Sequence, residues 1–162
     1  MLQVRKAEKT EFDKIMGIYE IAREFMIQTG NPNQWKRTNP TPEQITDDID
    51  KGICHVIVDG EEIHGVFALC EGEDPTYLYI EDGQWLNDEP YVTIHRIASD
   101  QRARGIFTSA MEYCKKYANN IRIDTHSDNK VMQKVLDNHG FIRCGIIYLK
   151  NGEPRIAYQW RA

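Results

Sequence analysis

Residues 95–111 read HRIASDQRARGIFTSAM: a β-branched run passes through two arginines and a glycine straight into an amphipathic helix over 104–118. Phe107, Ala110, Met111, Cys114 and Ala118 share one face of that helix. Its first amides have no partner within the helix and carry the positive end of its dipole, so the joint attracts an anion. Gly105 lets backbone and ligand approach closely, while Arg102 and Arg104, flanking Ala103 and followed by Ile106, add full charges. This is the chemistry of a diphosphate cradle; solvated arginines on an ordinary turn are the alternative. GxGxxG and GxxxxGK followed by Ser or Thr are both absent, which disfavours a dinucleotide dehydrogenase or a P-loop NTPase.

The other reactive residue types are dispersed. His55, His64, His95, His126 and His139 form no HExxH and have no cysteine at zinc spacing, so no metal is expected. Cys54, Cys70, Cys114 and Cys144 lie apart in apolar contexts and read as reduced, packed thiols. A net charge of −5 leaves no basic face for nucleic acid. No apolar run approaches the roughly 20 residues of a membrane span, and MLQVRKAEKT lacks a signal-peptide core. With 41% hydrophobic and 28% charged residues and a mean hydropathy of −0.59, a cytoplasmic protein is expected. The acidity between Glu71 and Glu89 suits a cationic substrate or a solvated loop.

The elements that must position these residues follow from periodicity. LQVRKAE alternates as a first strand; Thr10 and Asp13 resemble a capping box for a helix whose stripe is Phe12, Ile15, Met16, Tyr19, Ala22, Phe25 and Met26, ending at Gly30. NPNQWKRTNP is an irregular loop, and Thr41, Pro42 and Gln44 start a second helix that ends at Gly52. Residues 53–72 form a hairpin about Asp59-Gly60, with TYLYIEDGQWL extended and YVTIHRIAS a strand. Strand IRIDT, helix 129–139 and strand FIRCGIIYL come next, then a turn at Asn151-Gly152 and strand RIAYQW. Strands linked by such helices imply right-handed crossovers and locally parallel pairing, hence a mixed sheet. The length of 162 residues fits one domain, since single cores serve about 100–200 residues.

IASDQRARGIFTSAM resembles the acetyl-CoA-binding segment of the GNAT superfamily of N-acetyltransferases, Arg/Gln-x-x-Gly-x-Gly/Ala: Arg102 to Ile106 fit, and Phe107 replaces the final small residue. IRIDTHSDNKVMQKVLDNHGF is similar to the family's next strand, splayed turn, helix and terminal Gly-Phe, with Asn129 at the asparagine that faces the pantetheine arm. The motifs cover residues 90–145, and the order of elements agrees beyond them. The resemblance implies a single GNAT-like α/β (α+β) domain over 1–162. Its central mixed, mostly antiparallel twisted sheet would have about seven strands, flanked by about four helices, with a splay between strands four and five.

It also implies acetyl-CoA as cofactor, held by Ile97, Ala98, Ser99, residues 102–107 and Asn129. The main chain of Ile97 and Ser99 would bind pantetheine as an added strand, and an amide near Ile97 or Ala98 would polarise the thioester carbonyl. A primary amine of a small molecule or peptide would attack directly in a ternary complex, which needs a base and an acid. His95 is the base expected, since alternation puts it with Thr93 and Ile97, and histidine's reference pKa of about 6.5 suits the task; hydrogen bonding within the sheet is its other reading. His126 is a rival base and Asp124 a neighbour. Leu136 stands where many members place the tyrosine acid, leaving Tyr148 and Tyr158 on late strands as candidates. Trp35 and Gln34 would wall the acceptor pocket beside Thr93. Exposed C-terminal strands such as RIAYQW allow a homodimer. The competing function, favoured by Leu136 and Phe107, is a non-catalytic acyl-CoA-binding or regulatory module.

Overall fold

In the computed structural model, which describes residues 1–162, β1 (Leu2–Lys6) lies antiparallel on β2 (Cys54–Asp59), which forms a hairpin with β3 (Glu62–Glu71). The two-residue link Gly60-Glu61 has positive φ only at Gly60, the pattern of a II′ rather than a I′ turn. β4 (Val92–Ser99) pairs antiparallel with β3 and parallel with β5 (Asn120–Thr125), through a crossover that contains α3 (Ile106–Lys115). α4 (Lys130–Asn138) leads to β6 (Ile142–Tyr148), and a tight turn at Gly152 sends β7 (Pro154–Arg161) back. The sheet order is β1-β2-β3-β4-β5-β7-β6. β4–β5 is its one parallel pair, so the sheet is mixed and mostly antiparallel.

Two expectations fail here. RIAYQW is not an exposed edge: the β6–β7 hairpin folds inward, so β7 is bonded to β5 on one side and β6 on the other. TYLYIEDGQWL is not a strand. Asp74 caps a 3-10 turn at Pro75–Tyr77, after which the chain crosses β6 with a single bridge, Glu81 to Ile146. Backbones touch at that crossing, since a Cβ on Gly83 would lie 1.9 Å from the Cys144 carbonyl oxygen.

The helices cover both sheet faces. α1 (Phe12–Gln28) follows a 3-10 turn at Lys9–Glu11 that carries a Glu8/Glu11 capping box, in place of one at Thr10 and Asp13, while α2 (Pro42–Asp50) is capped by Thr41 as expected. These two bury Ile15, Ile18, Tyr19 and Ile45 against Val56, Val66 and Ala98. α3 and α4 bury Phe107, Met111 and Leu136 against Ile94, Ile121 and Ile123 on the opposite face. No helix is long and apolar enough to cross a membrane.

Two features of β4 govern the rest. Its parallel pairing with β5 stops after Val92–Ile121 and Thr93–Arg122, so the strands part and Ile94–Ser99 have no partner strand on that side. On its β3 side the register slips between Val66–Ala98 and Ala68–His95, a bulge with Arg96 at φ +55°. The bulge is pinned from below: the Tyr19 hydroxyl donates to the Arg96 carbonyl at 2.7 Å, and the Arg96 guanidinium donates twice to buried Asp48, at 2.8 and 2.9 Å.

Leu136 is fully buried beneath β5. Leu136→Ala is expected to lower unfolding stability by about 2–5 kcal/mol, read from the urea midpoint; a loss below about 0.5 kcal/mol would contradict this packing.

Candidate functional site

Two cavities open where β4 and β5 part. The first, ≈ 350 Å³, runs between α1, the end of β4, the 101–105 turn and α4; the second, ≈ 240 Å³, lies under the 34–39 loop, between β4, β5 and Arg155. Met26, Ile97, Asn129 and Met132 line both, so they form one cleft through the sheet.

The first cavity ends on the joint between β4 and α3. Gly105 caps the helix with φ +80°, a conformation that side-chained residues enter at a cost. The amides of residues 103–108 have no partner within the chain, while those of Gln101 and Arg102 turn inward to Ser99 Oγ and Asp100 Oδ1. Asp100 is itself anchored, its Oδ2 lying 2.9 Å from His64 Nδ1 and its amide bonded to the His64 carbonyl. The turn therefore presents unpaired donors to the cavity from a fixed backbone. Ile97, Ala98, Ser99, Ala103, Gly105, Ile106, Phe107 and Asn129 line this cavity. Arg102 does not: its turn toward Asp100 aims it into a separate hollow with Lys14 and His64, and exposed Arg104 lines neither half of the cleft. Asn129 is engaged by protein, with Oδ1 accepting from the Met132 amide at 3.0 Å and Nδ2 donating to Gln34 Oε1 at 2.9 Å. Gln34 thereby ties the 30–40 loop to the splay.

Gln34 and Trp35 line the second cavity, with Trp35 edge-on to Tyr19 at 5.7 Å. His95 lines it too, but not for the reason of alternation. The bulge at Arg96 shifts the phase, so Ile97 packs on the same core cluster as Ile94, and His95 projects from the other face. His95 Nε2 lies 2.9 Å from Asp74 Oδ2. A carboxylate only accepts, so Nε2 carries a proton, and in the neutral ring Nδ1, which has no partner in the chain, holds a free lone pair. Burial pushes the Asp74 carboxyl up, but hydrogen bonds from His95 and Thr76 outweigh it and bring it down to about 2. Opposite, Asp124 accepts from the Tyr77 hydroxyl at 2.6 Å, and burial with the Asp124 charge keeps that phenol well above its ordinary range.

Three expected residues fall elsewhere. Thr93 is buried within the last paired step of β4 and β5 and lines neither half of the cleft, because the splay begins beyond it. Tyr148 points outward from β6, the free edge, where its hydroxyl meets Glu81 and its ring lies near Tyr79. Tyr158 is packed in the core on the α4 side. His126, the rival base, lines neither cavity and accepts the Asp128 amide on Nδ1. Burial lifts the thiols of Cys54 and Cys114 to about 12, which removes both as nucleophiles. Asp74, Tyr77 and Arg155 escaped the sequence reading, since each comes from a distant element with no local motif: Arg155 lines the cleft, while Asp74 and Tyr77 hold its wall residues His95 and Asp124.

Neither the protein-family models nor the curated proteins give a match to this sequence. Solved structures do. An acetyltransferase of the GNAT family from Streptococcus agalactiae is 32% identical, with a TM-score of 0.90 over 99% of this chain and 95% of that one. A GNAT-family acetyltransferase from Bacillus cereus is 25% identical, with a TM-score of 0.63 over 99% and 97%. A Bacillus subtilis acetyltransferase solved in complex with CoA shares the fold at 17% identity, with a TM-score of 0.65 over 100% and 99%.

The lowered Asp74 carboxyl has a consequence for stability. Because its folded pKa of about 2 lies below the unfolded value of about 3.9, its contribution is complete above the unfolded value and is lost as pH falls through the folded one. Allowing for partial solvent screening, Asp74→Asn should cost about 1–2 kcal/mol at pH 7 and nothing below pH 2. Urea unfolding across that range measures it; a wild-type advantage that stays constant down to the lowest pH would refute the assignment.

Proposed function

This chain belongs to the GNAT family of acetyltransferases, and we propose that it transfers the acetyl group of acetyl-CoA to a primary amine of a small molecule or peptide by direct attack in a ternary complex. The observation that carries this reading is the parting of β4 from β5, which opens one cleft with a donor-lined half and a half beside His95. The residues of the first half fit the cofactor. Unpaired amides at 103–108 match a diphosphate, and the free edge of β4 at Ile97 and Ser99 matches an arm that bonds as an added strand. Gly105 has open space where a Cβ would stand. Phe107, in place of a small residue, packs edge-on to His139 at 4.9 Å and against Phe141 at 6.2 Å, and so builds the cavity wall.

Bound acetyl-CoA supplies the acetyl thioester: the acceptor nitrogen forms the new C–N bond as the C–S bond breaks, and CoA leaves as its thiol. The chain's part is position and protons. Amides at the end of β4 stabilise charge that develops on the carbonyl oxygen. His95 Nδ1 takes a proton from the acceptor ammonium, with Asp74 holding the ring and favouring the resulting imidazolium. With Leu136 wholly buried and no tyrosine hydroxyl lining either half of the cleft, the chain offers no tyrosine acid to the thiol that would leave. His95 then releases its proton to solvent. The free thiols of all four cysteines suit the cytoplasm.

Calorimetry with CoA and thiol release with an amine panel test this reading. Saturable CoA binding and turnover are expected; no heat at millimolar CoA would overturn it, and CoA binding without release across the panel would assign a non-catalytic acyl-CoA-binding module. His95→Ala should lower kcat/KM by about 10²–10⁴-fold and abolish its rise with pH on the acid side. Unchanged activity with an unchanged profile would remove His95 as the base.

A further inference from the structure

The half of the cleft beside His95 holds a buried cation with no carboxylate in hydrogen-bond contact. Arg155, on β7, lines this cavity with its side chain 4% exposed. Its hydrogen bonds go to neutral groups, from NH1 to the Pro154 carbonyl at 2.8 Å and from NH2 to the Gln34 carbonyl at 3.3 Å. The Glu153 carboxylate is 3.8 Å away, more exposed, and shared with Lys36 and Asn151. The other guanidinium at this cavity, Arg96, is matched twice by Asp48. Arg122, nearby on β5, lies between the Trp85 and Tyr91 rings and lines neither half of the cleft.

A buried guanidinium whose hydrogen bonds go to carbonyls and whose carboxylate neighbour stands 3.8 Å off is costly to hold, and its planar fork matches a carboxylate. The same cavity contains the opposite charge: Asp124, fixed by Tyr77, with His95 and its free Nδ1 also on the wall. Positive and negative groups therefore line one small space. Its ≈ 240 Å³ falls short of the roughly 300–1,000 Å³ usual for drug-sized ligands. Of the acidic residues between Glu71 and Glu89 none lines it, and Asp74 acts there only through His95. A polyamine would meet two guanidinium groups here.

Resting on the acetyltransferase reading above, we propose that the acceptor is a zwitterion of free amino-acid size, whose carboxylate is received by Arg155 and whose amine faces His95 and Asp124. Burial alone lowers the Arg155 pKa, with Asp124 and Glu153 opposing; a bound carboxylate restores the charge balance. A peptide's terminal amine has an amide where a free amino acid has its α-carboxylate, so the proposal selects free amino acids over peptides.

The test compares a panel of L-amino acids with their amides and decarboxylated amines on the full chain, following thiol release. An amino acid is expected to exceed both of its analogues in kcat/KM by roughly 10–100-fold, the value of a charge-assisted hydrogen-bond pair. Arg155→Met should shrink that ratio to within a few-fold, with CoA affinity unchanged by calorimetry. Amides or decarboxylated amines that work as well as the acids in the wild type would overturn the proposal, whatever the variant does. A second measurement separates it from the reading beneath it: calorimetry of N-acetyl amino acids against N-acetyl amino-acid amides in the presence of CoA. Preference for the acid without turnover keeps the carboxylate site and removes the transferase; equal binding removes the site.

Discussion

The paired contact of Arg96 with Asp48, together with the Tyr19 hydroxyl on the Arg96 carbonyl, is the constraint on which the working part of this molecule depends. It holds a side-chained residue at φ +55° in the middle of a strand, a conformation that a flat ladder does not tolerate. Asp48 is 1% exposed, so the charge pair is kept by geometry as much as by attraction; removing one partner would strand a buried charge. A bulge bends its strand and increases local twist. Here the bend accompanies the departure of β4 from β5 after a parallel ladder of two residue pairs.

From that departure the cleft follows. The β4 edge beyond Thr93 has no neighbour, and α3 begins close to where the strand ends. One half of the opening is therefore bounded by main-chain donors and apolar residues of α1 and α4, and the other by charged and aromatic side chains. The bulge also decides which side chains look into each half. Without it, strict alternation would put His95 and Ile97 on one face; with it, Ile97 joins Ile94 and His95 is left to meet Asp74.

The walls of the acceptor half come from remote parts of the chain. Gln34 reaches Asn129 and also receives Arg155, ties that span 95 and 121 residues. Asp74 and Tyr77 arrive from the strap that follows β3, and Tyr77 packs on Trp85 at 5.1 Å, so the strap brings its own support. A cleft assembled this way can change the half beside His95 by changing loops while the half built on β4 and α3 stays as it is.

The sequence by itself determined what is local. The hairpin about Gly60, the Thr41 cap of α2 and the glycine before α3 were legible because each rests on residues within one turn of one another. So was the joint before α3, whose free amides are a property of any helix start. Tertiary structure alone decided the insertion of β7 between β5 and β6, the phase shift at Arg96, the outward turn of Tyr148 and the burial of Thr93. It also chose Asp74 for His95 and left the Arg155 guanidinium hydrogen-bonded to carbonyls, with Glu153 no nearer than 3.8 Å. Those outcomes depend on which distant segment fills a given space and which charge it brings, and nothing in the spacing of neighbouring residues records that choice.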